Sequence, residues 1–211
     1  MADFQKSRLY LLTPPVAESE LDAFAALLGE ALSAADVACV LARVAPQSAA
    51  AAKTIIARLA GLAAETEAAL LVDGDPRLAL DADGAHIHGA GDALSEAIAS
   101  LKPDRIVGAG LLRSRDDAMR AGEVGADYVM FGEPRADGYT PPSAETVERV
   151  AWWAEIFEQP CVGFASRLGD IPPLAAAGAD FIALGDAIWQ ANKPAEALAQ
   201  AEAALIAPRA A

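Results

Sequence analysis

GADYVMFG, residues 125–132, is the stretch whose reading decides the fold. Tyr128–Phe131 are apolar without alternation, too few for a helix, and bounded by Gly and Asp. Such a run reads as a short strand buried on both faces, as in a parallel sheet. GADFIALG (178–185) repeats the device and DGAHIHG (83–89) echoes it more weakly. Each places a Gly–Asp turn directly before a strand, where the glycine ends a helix and the small residues let the chain turn into the sheet. Outward from these, similar runs stand at 8–13, 37–44, 68–73, 85–88, 105–110, 127–133, 161–165 and 181–185. Between them, helical patterns cover 18–34, 48–64, 93–101, 114–124 and 143–157, with a last helix from near Asp186 to near Ile206. In the first, Leu21, Phe24, Leu27, Leu28 and Leu32 share one face. Eight strands alternating with helices over 211 residues predict a single-domain (β/α)8 TIM barrel spanning 1–211. A doubly wound open sheet is the alternative, but it uses fewer strands, and no GxGxxG follows the first strand.

Composition narrows the function classes. The formal charge of −14 argues against nucleic acid, which needs clustered Lys and Arg. No apolar run approaches a membrane span, and MADFQKSRLYLLTPP (1–15) lacks the basic start and long apolar core of a signal peptide. A cytoplasmic location is therefore expected. Cys39 and Cys161 form no CxxC and read as buried thiols in a reducing compartment. The alanine-rich segments carry periodic Leu and Ile, so they read as helix rather than low complexity.

Barrel active sites lie at the C-terminal ends of the strands. That rule selects Thr13, Arg43, Asp73, His88, Gly110, Glu133, Ala165 and Gly185 with the loops that follow. Asp73 and Asp92 follow neighbouring strands and suit one Mg2+, completed by waters and substrate phosphate; alternatively Asp73 makes a turn and Asp92 caps a helix. His86 and His88 point to one side of their strand. With a carboxylate they would make an open transition-metal site; more simply, His88 meets substrate while His86 hydrogen-bonds inside the barrel. Arg43 is the only basic residue among the selected strand ends, an anchor for phosphate or carboxylate, or else the partner of a nearby aspartate. Arg113, Arg115 and Arg135 lie in later loops, and Trp152–Trp153 read as packing against the barrel or a partner subunit.

These motifs together resemble the thiamine phosphate synthase/TenI family of (β/α)8 barrels. RLYLLTPP (8–15) is similar to that family's opening strand. LLVDGDPRLALDADGAHIHGAGD (70–92), IVGAGLLRSRDDAMRAGEVGADYVMFGEP (106–134) and AAAGADFIALGDAI (175–188) resemble its later segments in order and spacing. The resemblance implies a transferase that joins hydroxymethylpyrimidine diphosphate to thiazole phosphate with release of diphosphate. It also implies Mg2+ on Asp73 and Asp92, Arg43 at the diphosphate or pyrimidine, a small-molecule ligand in the barrel mouth, and a homodimer. Substrate-binding positions carried over are Arg43, Gly110, Glu133, Ala165, Ser166, Gly185 and Asp186.

Several of those positions depart from the family's pattern. Of its Gln-x-Arg-x-Lys only Arg43 is kept, with Leu41 and Ala45 at the other places; Val72 stands for an Asn and Gly110 for a Ser. The diphosphate loop falls in ADGYT (136–140) without its lysine; Ala165–Ser166 replace Gly-Gly, and Asp186 replaces a serine. Asp186, at a helix start, is expected to repel phosphate while capping the helix. Two alternatives follow: a catalytically degenerate paralogue that binds another small ligand or acts as an interaction protein, and a TenI-like thiazole tautomerase with His88 as the catalytic base.

Overall fold

The structure, a computed structural model, describes residues 7–45 and 48–206. Residues 1–6, on which part of the signal-peptide reading rests, lie outside the described residues. The strands are β1 (Arg8–Leu12), β2 (Val37–Ala42), β3 (Ala69–Asp73), β4 (Gly84–His88), β5 (Ile106–Gly110), β6 (Tyr128–Phe131), β7 (Cys161–Phe164) and β8 (Phe181–Leu184). Each pairs in parallel with the next, and β8 pairs with β1, closing the TIM barrel expected from sequence. The helices are α1 (Leu21–Ala34), α2 (Ala49–Glu65), α3 (Asp92–Leu101), α4 (Arg115–Glu123), α5 (Ser143–Ile156), α6 (Ile171–Ala176), α7 (Asp186–Trp189) and α8 (Pro194–Ile206). A short 3-10 turn, Leu78–Asp81, takes the place of a helix between β3 and β4.

Strand parity divides the apolar residues into two cores, because successive side chains face opposite sides. Tyr10, Leu12, Cys39, Leu41, Leu71, Tyr128, Met130, Val162, Phe164 and Ala183 fill the barrel. Their neighbours in sequence, such as Leu9, Leu11, Val40, Leu70, Val72 and Ile182, join the helices in the larger outer core. Burial on both faces is why the strands do not alternate apolar with polar.

The GAD echo has a mechanical meaning. Asp83, Asp127 and Asp180 each precede an even-numbered strand and grip the start of the strand before it. Their carboxylates accept the N–H groups of Leu70 (2.7 Å), Val107 (2.8 Å) and Cys161 (2.8 Å). Their own N–H groups return to the carbonyls of the same residues. Each aspartate thus fixes strand register at the floor of the barrel with two reciprocal hydrogen bonds. Gly125 and Gly178 end α4 and α6 in the left-handed region, at φ +97° and +98°, as the sequence pattern requires. Gly84 differs. It follows its aspartate, and a Cβ there would lie 2.0 Å from the Ile106 carbonyl oxygen, so close approach of strands demands it.

Two elements depart from expectation. α6 has only six residues and begins with Pro172 and Pro173 in its first turn, so no helical periodicity signals it. The last helix is two: α7 stops at Trp189 and Pro194 opens α8, because proline suits a first turn but breaks a helix interior. Trp153 is fully buried, packs on Phe131 at 6.0 Å between ring centroids, and donates from Nε1 to the Gln159 carbonyl. Trp152 keeps part of its surface beneath the Arg115 guanidinium, 4.8 Å from the ring centre. Among the described residues no helix is long and apolar enough to cross a membrane. Cys39 and Cys161 are free and buried.

Candidate active site

The eight residues selected by the strand-end rule all lie at the last position of a strand or within two residues after it. They do not form one cluster. A cavity of about 270 Å3 opens at the mouth between Leu12, Arg43, Pro134, Thr140, Phe164, Ser166, Gly185, Asp186 and Ala187. It brings together Arg43, Ser166, Gly185 and Asp186, four of the positions carried over from the resemblance. Thr140, from the loop after β6, joins them. Arg43 is fixed at its wall: the backbone N–H meets Thr13 Oγ1 at 2.9 Å, and Nε–H donates to the Thr13 carbonyl. The alternative reading of Arg43, an ion pair with a nearby aspartate, is not formed among the described residues. Ala165 is fully buried, its N–H bonded to the Ala183 carbonyl at 2.8 Å, so Ser166 alone of that pair reaches the cavity.

Asp186 corrects the sequence reading. The cap position of α7 is Gly185, no side chain caps it, and Asp186 is the first helical residue. Its Oδ2 accepts from Gln190 Nε2 at 3.2 Å. Asp92 is likewise the first residue of α3, with Gly91 at the cap and no side-chain cap bond. The helix boundaries therefore exclude the capping alternative for Asp92 and the capping expected of Asp186.

Gly110 and Glu133 belong to a second, buried constellation. Glu133 Oε1 accepts the Leu111 N–H at 3.0 Å and lies 3.3 Å from His86 Nε2. With that oxygen as acceptor, Nε2 carries the imidazole proton and Nδ1 accepts from the Tyr128 hydroxyl at 2.8 Å. Tyr128 in turn accepts from Tyr10, also at 2.8 Å. The chain Tyr10–Tyr128–His86–Glu133 runs up the barrel interior, and burial pushes both phenols well above their ordinary range. Gly110 makes the room: a Cβ there would stand 2.0 Å from Glu133 Oε1 and 2.2 Å from His86 Nε2. His86 thus hydrogen-bonds inside the barrel, as expected. Its partners were not foreseen, although Tyr10 and Tyr128 stand at inward positions of β1 and β6 beside the apolar Leu12 and Met130.

His88 and Asp73, assigned separate roles from sequence, are bonded to each other. His88 Nε2 donates to Asp73 Oδ1 at 2.7 Å. Burial pushes the Asp73 carboxyl up, but the hydrogen bond from His88 and the nearby Arg43 charge outweigh it and hold the group below its ordinary value. The same hydrogen bond raises the His88 imidazole against partial burial. Asp73 and Asp92 are hard oxygen donors of the kind Mg2+ takes. β3 and β4 pair directly, which sets Asp73 at the end of one strand and Asp92 at the start of the helix that follows the other. The donor chemistry fits magnesium. Among the described residues no three His, Cys, Asp or Glu side chains group as a metal set, so substrate oxygens and water would complete the octahedron.

The chain is similar to known proteins over most of its length. The chain is 38% identical over 192 residues to the thiamine-phosphate synthase of Rhodospirillum centenum, covering 89% of this chain and 91% of that one. Against the thiamine-phosphate synthase of Hyphomonas neptunium it is 35% identical over 195 residues, covering 87% and 86%. Thiamine phosphate pyrophosphorylase from Pyrococcus furiosus shares the fold, with a TM-score of 0.79 at 23% identity and 96% of both chains covered. The sequence model of the thiamine monophosphate synthase (TMP-TENI) family matches residues 9–188, and the chain belongs to that family.

Proposed function

We propose that the chain is a thiamine-phosphate synthase, joining hydroxymethylpyrimidine diphosphate to thiazole phosphate and releasing diphosphate. One observation carries the reading: Arg43, Thr140, Ser166, Gly185 and Asp186 line a single mouth cavity, at the places where family resemblance expects pyrimidine, diphosphate and thiazole phosphate. The identity to the two synthases supports it. In the reaction the bond between the pyrimidine methylene and the diphosphate oxygen breaks, and the thiazole nitrogen forms a bond to that carbon. The thiazolium keeps the positive charge, and diphosphate leaves with the electron pair of the broken bond.

Arg43 is the cavity's fixed cation and stabilises charge growing on the departing diphosphate. Leu12 and Phe164 wall the cavity and exclude water that would otherwise capture the carbocation-like methylene. Asp73 and Asp92 would hold Mg2+, which when bound supplies further neutralisation of the leaving group. A synthase assay with both substrates and Mg2+ tests the reading. Product should form, and Arg43→Ala should lower kcat/KM by about 100-fold or more. A folded protein that makes no product overturns it.

A specific observation favours a second reading, the degenerate paralogue. Asp186 puts a carboxylate on the cavity wall, and the diphosphate-loop lysine is missing. Calorimetric titration separates the two: a paralogue binds neither substrate in the micromolar range. A TenI-like tautomerase with His88 as base fits less well, because His88 is bonded to Asp73 and is not among the residues lining the cavity. The setting we propose is the cytoplasm, and the oligomer a homodimer through the outer face of α5, where Trp152 and Ile156 keep apolar surface. Sedimentation of the wild type against Ile156→Glu checks that.

A further inference from the structure

The geometry points to His88 as a residue that controls the access of a divalent cation to Asp73. It rests on the reading of Asp73 and Asp92 as the cation-binding pair. β3 and β4 are neighbours, and their register places Asp73 opposite His86. His88 lies one inward position further along β4, its ring 6.2 Å from that of His86. From there its Nε2–H reaches Asp73 Oδ1 at 2.7 Å. The Gly74 N–H closes the turn onto the His86 carbonyl at 2.8 Å, with Gly74 at φ +79°. A Cβ on Gly74 would stand 3.8 Å from His88 Cε1, so the imidazole packs directly over the turn that carries the aspartate.

The imidazole therefore covers the carboxylate from the solvent side. His88 is 47% exposed and Asp73 20%. Magnesium binds carboxylate oxygen at about 2.0–2.1 Å in a nearly ideal octahedron and gives up its waters reluctantly. An N–H already on Oδ1 takes one of its lone pairs and sets positive hydrogen-bond density where the cation must approach. His88 has no second hydrogen bond among the described residues, so rotation of its side chain uncovers the carboxylate. This chain is thus built with a displaceable cover on its metal-side aspartate, and a cation must compete with His88 for Asp73.

Isothermal calorimetry of Mg2+ alone tests this, on the full chain as wild type, His88→Ala, His88→Gln, Asp73→Asn and the His88→Ala/Asp73→Asn double variant. His88→Ala should bind Mg2+ about tenfold more tightly than wild type. His88→Gln keeps an N–H donor and should fall nearer wild type, and both Asp73→Asn proteins should lose the site. Equal affinity in wild type and His88→Ala overturns the inference. So does an absence of binding in His88→Ala, or binding that survives Asp73→Asn. No thiamine substrate enters the measurement, so a protein without synthase activity still gives a clear answer.

Discussion

At the scale of single residues, Gly110 shows how much chemistry a missing side chain carries. Its backbone is ordinary, yet the space above it is filled by Glu133 and His86. Gly110→Ala must displace the buried hydrogen bond between His86 and Glu133 and should destabilise the protein by about 1–3 kcal/mol, read from urea unfolding midpoints. Leu111 adopts φ +52°, a strained region for leucine, and the Glu133 carboxylate holds its N–H there. The thiols give the pH prediction. Burial pushes Cys161 up to about 12, chiefly by desolvation, and raises Cys39 further. Because folding holds these protons more tightly than the unfolded chain does, their stabilising effect is complete below the unfolded thiol value near 9. It is lost as pH rises toward 12, by up to about 1.4 kcal/mol per pH unit for each group. Cys161→Ala should flatten the fall in stability between pH 9 and 11, measured by denaturant titration. Both native thiols should also react slowly with a thiol reagent at pH 8 and quickly once unfolded.

At the scale of elements, the recurrent aspartate is the informative feature. Asp180 satisfies a strand-start N–H that would otherwise be buried without a partner. Asp180→Ala should cost about 1–3 kcal/mol, whereas Asp180→Asn, which keeps a carbonyl acceptor, should cost less than half of that; thermal melts of the two variants decide it. The echo itself was visible in sequence, but its purpose was not: the partner residue lies on the previous strand, 19 positions away for Asp180. The same limitation concealed α6, which is too short for periodicity to register. It also joined α7 to α8 across Pro194, since an alanine-rich flank outweighed the proline. Ser114 and Asp117 form a complete capping box at the start of α4, a signal of local spacing that sequence does carry.

At the scale of the whole molecule, the net charge of −14 surrounds a cavity proposed to take two phosphorylated substrates. Long-range repulsion should slow their capture, and salt should relieve it within a Debye length of about 8–10 Å. The association rate of the pyrimidine diphosphate should therefore rise between low and physiological ionic strength, measurable by stopped-flow fluorescence of the tryptophans. A rate that falls with added salt would show instead that Arg43 and its neighbours dominate the approaching field.

The sequence by itself determined the barrel. Apolar runs of strand length, glycine at helix ends and the regular return of both are local properties, and they leave one closed architecture. It also placed the mouth residues, since strand order and the rule of C-terminal ends suffice to name Arg43, Asp73 and Gly185. Only the tertiary structure decided which of them meet. Val72, a departure from the family pattern, belongs to the outer core and never faces the mouth. Arg43 and Asp186 share a cavity, Glu133 bonds His86 below it, and His88 covers Asp73. The physical reason is that parity and register across neighbouring strands determine which side chains come within hydrogen-bond distance, and both are set by pairing between segments far apart in the chain.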